Sequence, residues 1–257
     1  MENIYPLVQS DLDNAKSVLF TGTPCQVAGL KRFLAKPYDN LLCADIICHG
    51  TPSRKMYREY LQWFGQQKSG KVVEYDFRSK KRNDWSLTYR ATIQRKNGRS
   101  RCYEAIASLD PYYYAFLQGS TYRESCYTCP YGCIERAGDI TLGDFWGIEQ
   151  VMPQMHNPNG TSAVIVNSQA GAAAFERIKH TLTYREVDVE RIRQHNGNLR
   201  HATRRPDIRD VIYRDMNDHG FAYIAKQYMA HPKRYVEVIR NLFPNKLRQA
   251  IKRIIRH

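Results

Sequence analysis

Residues 17–34 read SVLFTGTPCQVAGLKRFL. Val18-Leu19-Phe20 is a short apolar run that suits a buried strand. Gly22-Thr23-Pro24 breaks it, and Val27, Leu30, Phe33 and Leu34 then recur at helical spacing. The stretch is a strand–turn–helix unit with Cys25 at the helix start, where free N–H groups and the peptide dipole favour a thiolate. The pattern repeats. Residues 40–61, NLLCADIICHGTPSRKMYREYL, give an apolar strand, then Cys48-His49, a second Gly-Thr-Pro at 50–52, and a helix capped by Ser53. The two tripeptides lie 28 residues apart, a spacing that suits strand–helix–strand in a parallel sheet. Ligands bind beyond the carboxyl ends of such strands, so Cys25 and Cys48 are expected on one sheet edge. Cys43 is an odd number of residues from Cys48; it faces the opposite side and is expected in the core.

Residues 125–147, SCYTCPYGCIERAGDITLGDFWG, hold three of the seven cysteines as Cys126-x2-Cys129-x3-Cys133. Soft, oxidisable side chains at this density point to ligation or redox chemistry rather than packing. An iron–sulfur loop, a zinc knuckle and a redox dithiol all suit the pattern. The loop runs into a β-type stretch, Ile140 to Leu142, with Asp144, Phe145 and Trp146 at its tip.

Residues 71–103 change character. Segments 72–78 and 87–94 read as strands, and the intervening SKKRNDW is a basic, turn-rich connection. Arg78, Lys80, Lys81 and Arg82 suit an anionic cofactor or a solvated hairpin tip equally. Cys102, strand-borne and without cysteine neighbours, is expected to be structural. Tyr112, Tyr113, Tyr114 and Phe116 lie on a short helix and read as packing residues. Thr161 to Asn167 forms another short strand, with a helix following from Ser168. From Tyr184 onward the chain is helical, basic and polar.

Composition narrows the function classes. The 257 residues are 42% hydrophobic, and no apolar run approaches the roughly 18 residues that a membrane span requires. The first residues carry neither a basic nor an apolar leader pattern, so a cytoplasmic protein with reduced, ligand-type cysteines is expected. The net charge is +14, half of it in residues 232–257, which hold eight Lys/Arg against one Glu. No nucleic-acid signature accompanies that charge, so specific nucleic-acid binding is not expected. The last segment, NKLRQAIKRIIRH, sets Leu247, Ile251, Ile254 and Ile255 opposite basic residues. This amphipathic tail suits peripheral contact with the inner membrane face or a partner.

Four segments together resemble the beta-subunit family of coenzyme F420 hydrogenase and dehydrogenase, in its C-terminal domain. They are VLFTGTPCQVAGLKRFL (18–34), ICHGTPS (47–53), FRSKKRNDW (77–85) and residues 125–147; NGTSAVIVNSQAG (159–171) is similar as well. The resemblance spans roughly residues 18–182. It implies an iron–sulfur flavoprotein that passes electrons between a 4Fe–4S cluster and FAD or another two-electron acceptor, coenzyme F420 among them. Bacterial relatives act in surface-polysaccharide pathways. Carried over by position, the cluster ligands would be Cys25, Cys48, Cys126 and Cys129, with Cys133 a spare or structural thiol. Thr23, Gln26, His49, Lys80 and Asp144 fall at motif positions around the implied flavin crevice. Relatives carry an upstream ferredoxin-like module, which implies an electron-donor protein or module as partner. This sequence begins a short way before its first strand, so an incomplete FAD site is expected.

The expected fold is thus mixed α/β: a short, largely parallel sheet with flanking helices, a β-hairpin insertion and a helical C-terminal tail. Residues 1–182 are expected to form the family domain and 183–257 a basic helical extension. The expected function is that of an oxidoreductase. The alternative is a zinc-bound or metal-free interaction protein, and a thiol peroxidase or dithiol enzyme is a third reading.

Overall fold

The computed structural model describes residues 3–80, 85 and 87–242. In chain order these give α1 (Ile4–Asp13), β1 (Val18–Gly22), α2 (Pro24–Leu34), β2 (Leu41–Ile46) and α3 (Arg54–Gln67). Then come β3 (Gly70–Asp76), β4 (Thr88–Arg95), β5 (Ser100–Ile106), α4 (Pro111–Leu117) and α5 (Glu124–Tyr127). Next are β6 (Ile140–Asp144), α6 (Ile148–Val151), β7 (Ser162–Val166), α7 (Gln169–Ile178) and α8 (Val189–His195). Helices α9 (Ile208–His219), α10 (Phe221–Gln227) and α11 (Arg234–Leu242) complete the described chain. The mixed α/β class expected from the sequence is the one adopted. The amphipathic tail, Lys81 and Arg82 lie outside the described residues.

The chain forms two compact units, Met1–His49 with Thr128–Thr203, and Gly50–Tyr127 with Arg204–His257. The expected division at 182/183 coincides with none of the three boundaries, at 49/50, 127/128 and 203/204. Contacts rather than chain order draw the line, because each unit is assembled from two separate stretches.

The first unit is built on a sheet of order β1-β2-β6-β7. β1, β2 and β6 run parallel, and β7 closes the edge antiparallel to β6. The register pairs Phe20 with Cys43. Both are buried with Val27, Leu30 and Leu34 of α2 and with Val8 and Leu12 of α1. Each such aliphatic side chain contributes roughly 1.5–3 kcal/mol by leaving water. Phe33, expected on the buried stripe of α2, lies at its margin and is exposed, in ring contact with Tyr5. Helix α1 has no counterpart among the sequence expectations. The other sheet face carries Leu19, Ile46, Leu142, Val164 and Val166, which are 38–62% exposed.

The second unit is built on the antiparallel sheet β3-β4-β5. Alternation along β4 turns Tyr89, Ala91 and Ile93 inward. Met56, Tyr60 and Phe64 make the i, i+4, i+8 stripe of α3, and Tyr112 and Tyr113 of α4 join them, as their reading as packing residues requires. Ile212, Met216, Phe221 and Ile224 from α9 and α10 belong to the same core. Cys102, expected to be structural, is exposed on the outer face of β5, where Arg90 Nη2 donates to its sulfur at 3.3 Å.

Asp110 is the most deeply buried acidic residue among those described in this unit. Its carboxylate caps α4 by accepting from Tyr113 N (2.8 Å) and accepts from Tyr60 Oη (2.5 Å). Burial pushes its pKa up to about 6. An acid whose folded pKa exceeds its unfolded value of roughly 4 stabilises the fold fully below that value and loses the contribution as pH rises through the folded pKa. Stability should therefore fall by about 3 kcal/mol between roughly pH 4 and pH 6 from this group. Asp110→Asn, neutral throughout and able to keep the cap, is expected to flatten that slope in urea titrations. An unchanged slope would remove Asp110 as its source.

Candidate functional site

The site is assembled from strand ends. Gly22 and Asp45 are register partners at the carboxyl ends of β1 and β2. Cys25 and Cys48 each follow that pair by three residues. Cys25 occupies the first turn of α2, after Thr23 and Pro24. Thr23 Oγ1 lies 3.1 Å from Cys25 Sγ, and Thr23 N donates to Gln26 Oε1 at 2.9 Å, the return half of a capping box. Thr23 and Gln26 thus order the turn that presents the thiol. Cys25 is exposed and Cys48 half-buried. The carbonyl of His49 accepts from Thr203 Oγ1 at 2.9 Å. Partial burial lowers the His49 pKa even though the residue as a whole stays open to solvent.

The cysteine loop enters from α5, whose Cys126 N donates to Arg123 O at 2.9 Å within the second unit. Cys129 and Cys133 belong to the first unit, in the irregular run before β6. Gly132 packs so closely that a Cβ there would sit 2.5 Å from Ala202 N. The Cys133 thiol donates to the carbonyls of Pro130 (3.2 Å) and Glu135 (3.3 Å), and burial raises its pKa. It is occupied by its own turn, which suits a structural thiol.

Two acidic residues outside the sequence expectations hold this edge together. Asp139 N donates to Cys43 O (2.7 Å), while Asp139 Oδ2 accepts from Cys43 N (2.7 Å) and Oδ1 from Ser168 Oγ (2.9 Å). Asp45 is fully buried and paired with Arg136 at 3.1 Å. Cys43, expected in the core, is fully buried; burial pushes its pKa up to about 11.

All seven cysteines are reduced thiols. Among the described residues no three Cys, His, Asp or Glu side chains are grouped so as to hold a metal ion. Cys43 alone of the seven is buried; Cys25, Cys48, Cys126 and Cys129 are at least partly accessible, as are Cys102 and Cys133, and an accessible thiol is the kind that can ionise and serve as a soft donor. Of the expected flavin contacts, Asp144 ends β6 opposite Ser162, and Lys80 is exposed in the second unit. A cavity of about 830 Å³ in the first unit is lined by residues between Phe145 and Ile192 and includes none of Thr23, Gln26, His49, Lys80 or Asp144.

A four-stranded, mostly parallel sheet with flanking helices beside a three-stranded antiparallel sheet puts the chain in the mixed α/β class. More narrowly, it belongs to the coenzyme F420 hydrogenase/dehydrogenase family, whose model for the C terminus of the beta subunit matches residues 15–191. That membership places it with oxidoreductases of the beta-subunit type. No curated protein matches the chain closely enough to add a named relative. No described helix is long and apolar enough to cross a membrane.

Proposed function

We propose that the chain is an iron–sulfur oxidoreductase in which Cys25, Cys48, Cys126 and Cys129 hold a 4Fe–4S cluster. The observation that carries this reading is the matched placement of Cys25 and Cys48, each three residues beyond the register pair Gly22–Asp45. Adjacent parallel strands lie about 4.8 Å apart, so the two chains leave the sheet side by side. When bound, such a cluster supplies one-electron transfer. Thr23 and Gln26 order the turn bearing Cys25, and Thr203 braces the His49 carbonyl next to Cys48.

FAD, or another two-electron carrier such as coenzyme F420, belongs to the proposal as the partner carrier, with Thr23, Gln26, His49, Lys80 and Asp144 as its contacts. An electron-donor protein or ferredoxin-like module would supply or drain the cluster. A surface-polysaccharide pathway is the proposed setting.

Protein purified without oxygen is expected to be brown, with about four irons and four sulfides per chain, the content of one cube. Zinc accepts the same four thiolates, so a colourless protein that holds zinc would replace this reading with that of a zinc-stabilised interaction protein. Flavin released on denaturation, measured on the same sample, tests the FAD assignment separately.

A further inference from the structure

We propose that Arg136 is the positioning residue of the thiol centre: its guanidinium registers the strand end that delivers Cys48 against the loop that delivers Cys129. The inference deepens the cysteine-ligand reading above and rests on it for its functional meaning.

The Arg136 and Asp45 side chains are both fully buried. Nη2 of Arg136 donates to Asp45 Oδ1 (3.1 Å) and to the carbonyl of Ile46 (2.9 Å), two residues before Cys48. Nη1 donates to the carbonyls of Tyr131 (2.9 Å), two residues after Cys129, and Cys133 (3.3 Å). Nε donates to Thr141 Oγ1 at 3.3 Å. These five contacts match the five N–H donors of a guanidinium. Asp45 is equally committed, accepting from Thr141 Oγ1 (2.7 Å) and Gly138 N (2.9 Å) as well.

Two physical points favour positioning over plain stability. A buried ion pair is often no more stabilising than apolar residues of the same volume, so what it adds is geometry. The stretch between α5 and β6 has no regular secondary structure, and its backbone carbonyls at 131 and 133 are held by this one side chain. Lysine could neutralise Asp45, but its single ammonium cannot span carbonyls on the strand and on the loop.

The test uses Arg136→Lys, which keeps the charge, and the double variant Asp45→Asn/Arg136→Met, which leaves no unpaired buried charge. Each metal-free, reduced protein is alkylated with iodoacetamide without oxygen, and the rate at every cysteine is read by peptide mass spectrometry. Rates at Cys48 and Cys129 are expected to change by about threefold or more, as in a locally released segment, with Cys25 and Cys102 unchanged. Reconstitution with ferrous iron and sulfide is the second readout, and the variants are expected to retain less iron than the wild type. Unchanged rates at Cys48 and Cys129 in folded variants overturn the proposal, whatever the iron content. Loss of cooperative thermal unfolding in both variants overturns it too, because the pair would then be a folding requirement. If the wild type binds no iron but the rates shift as expected, the positioning role stands and the metal reading falls.

Discussion

Each of Cys25→Ser, Cys48→Ser, Cys126→Ser and Cys129→Ser is expected to cost the anaerobic protein most of its iron and its broad visible absorption. Cys133→Ser and Cys43→Ala are expected to keep both. A cysteine-ligated cube needs four thiolates, and serine offers a far less acidic oxygen in place of a soft sulfur. The loop supplies two donors in Cys126-x2-Cys129, so two must come from elsewhere. Cys25 and Cys48 are the pair set at matched positions past adjacent strand ends. Cys43 is shut in the core with a pKa pushed up to about 11, and the Cys133 thiol is spent on two carbonyls of its own turn. Iron and sulfide analysis of the six variants decides the matter. If Cys133→Ser bleaches the protein while Cys48→Ser does not, the donors are the local trio and the assignment is wrong.

The second large effect is purely structural. Gly50→Ala is expected to destabilise the second unit by about 3 kcal/mol or more, the sum of overpacking and backbone strain. Gly50 has φ +138°, and a Cβ there would lie 2.3 Å from Cδ2 and Cε2 of Tyr122. Tyr122 has no room to retreat: it is fully buried, its hydroxyl donates to Phe116 O at 2.8 Å, and its ring stacks on Tyr127. Gly22→Ala, in the matching tripeptide, has no left-handed φ to strain and would meet Gln26 Oε1 at 3.0 Å and Phe20 Cε1 at 3.3 Å, tight contacts but not overlaps, and should cost less. Thermal unfolding of the two variants gives the comparison, and equal shifts would refute it.

These two glycines also mark how far the sequence could be read. The repeated Gly-Thr-Pro pointed correctly to two strand–turn–helix units, and Ser53 caps its helix as expected, accepting from Met56 N at 3.1 Å. The repeats are nevertheless unlike in detail. Pro24 opens α2, whereas Pro52 makes an isolated bridge to Tyr122 before its helix begins. Short apolar runs and helical stripes are local signals, and the elements built on them were legible. The Asp45–Arg136 pair spans 91 residues and leaves no periodicity to detect. Its one trace is an acidic residue inside the apolar run LLCADII. The division into units was hidden for the same reason, since residues 50–127 and 204–242 share an aromatic core that no contiguous stretch reveals.

The partly exposed aliphatic face of the four-stranded sheet, as seen among the described residues, has a colloidal consequence. Leu19, Ile46, Leu142, Val164 and Val166 present an unwettable stripe to solvent. Molecules carrying a net charge of +14 repel one another over about a Debye length, roughly 30 Å in 0.01 M salt but 3 Å in 1 M. Light scattering should therefore report monodisperse particles in dilute buffer and growing ones as salt is added, the reverse of the behaviour of a protein held together by ion pairs.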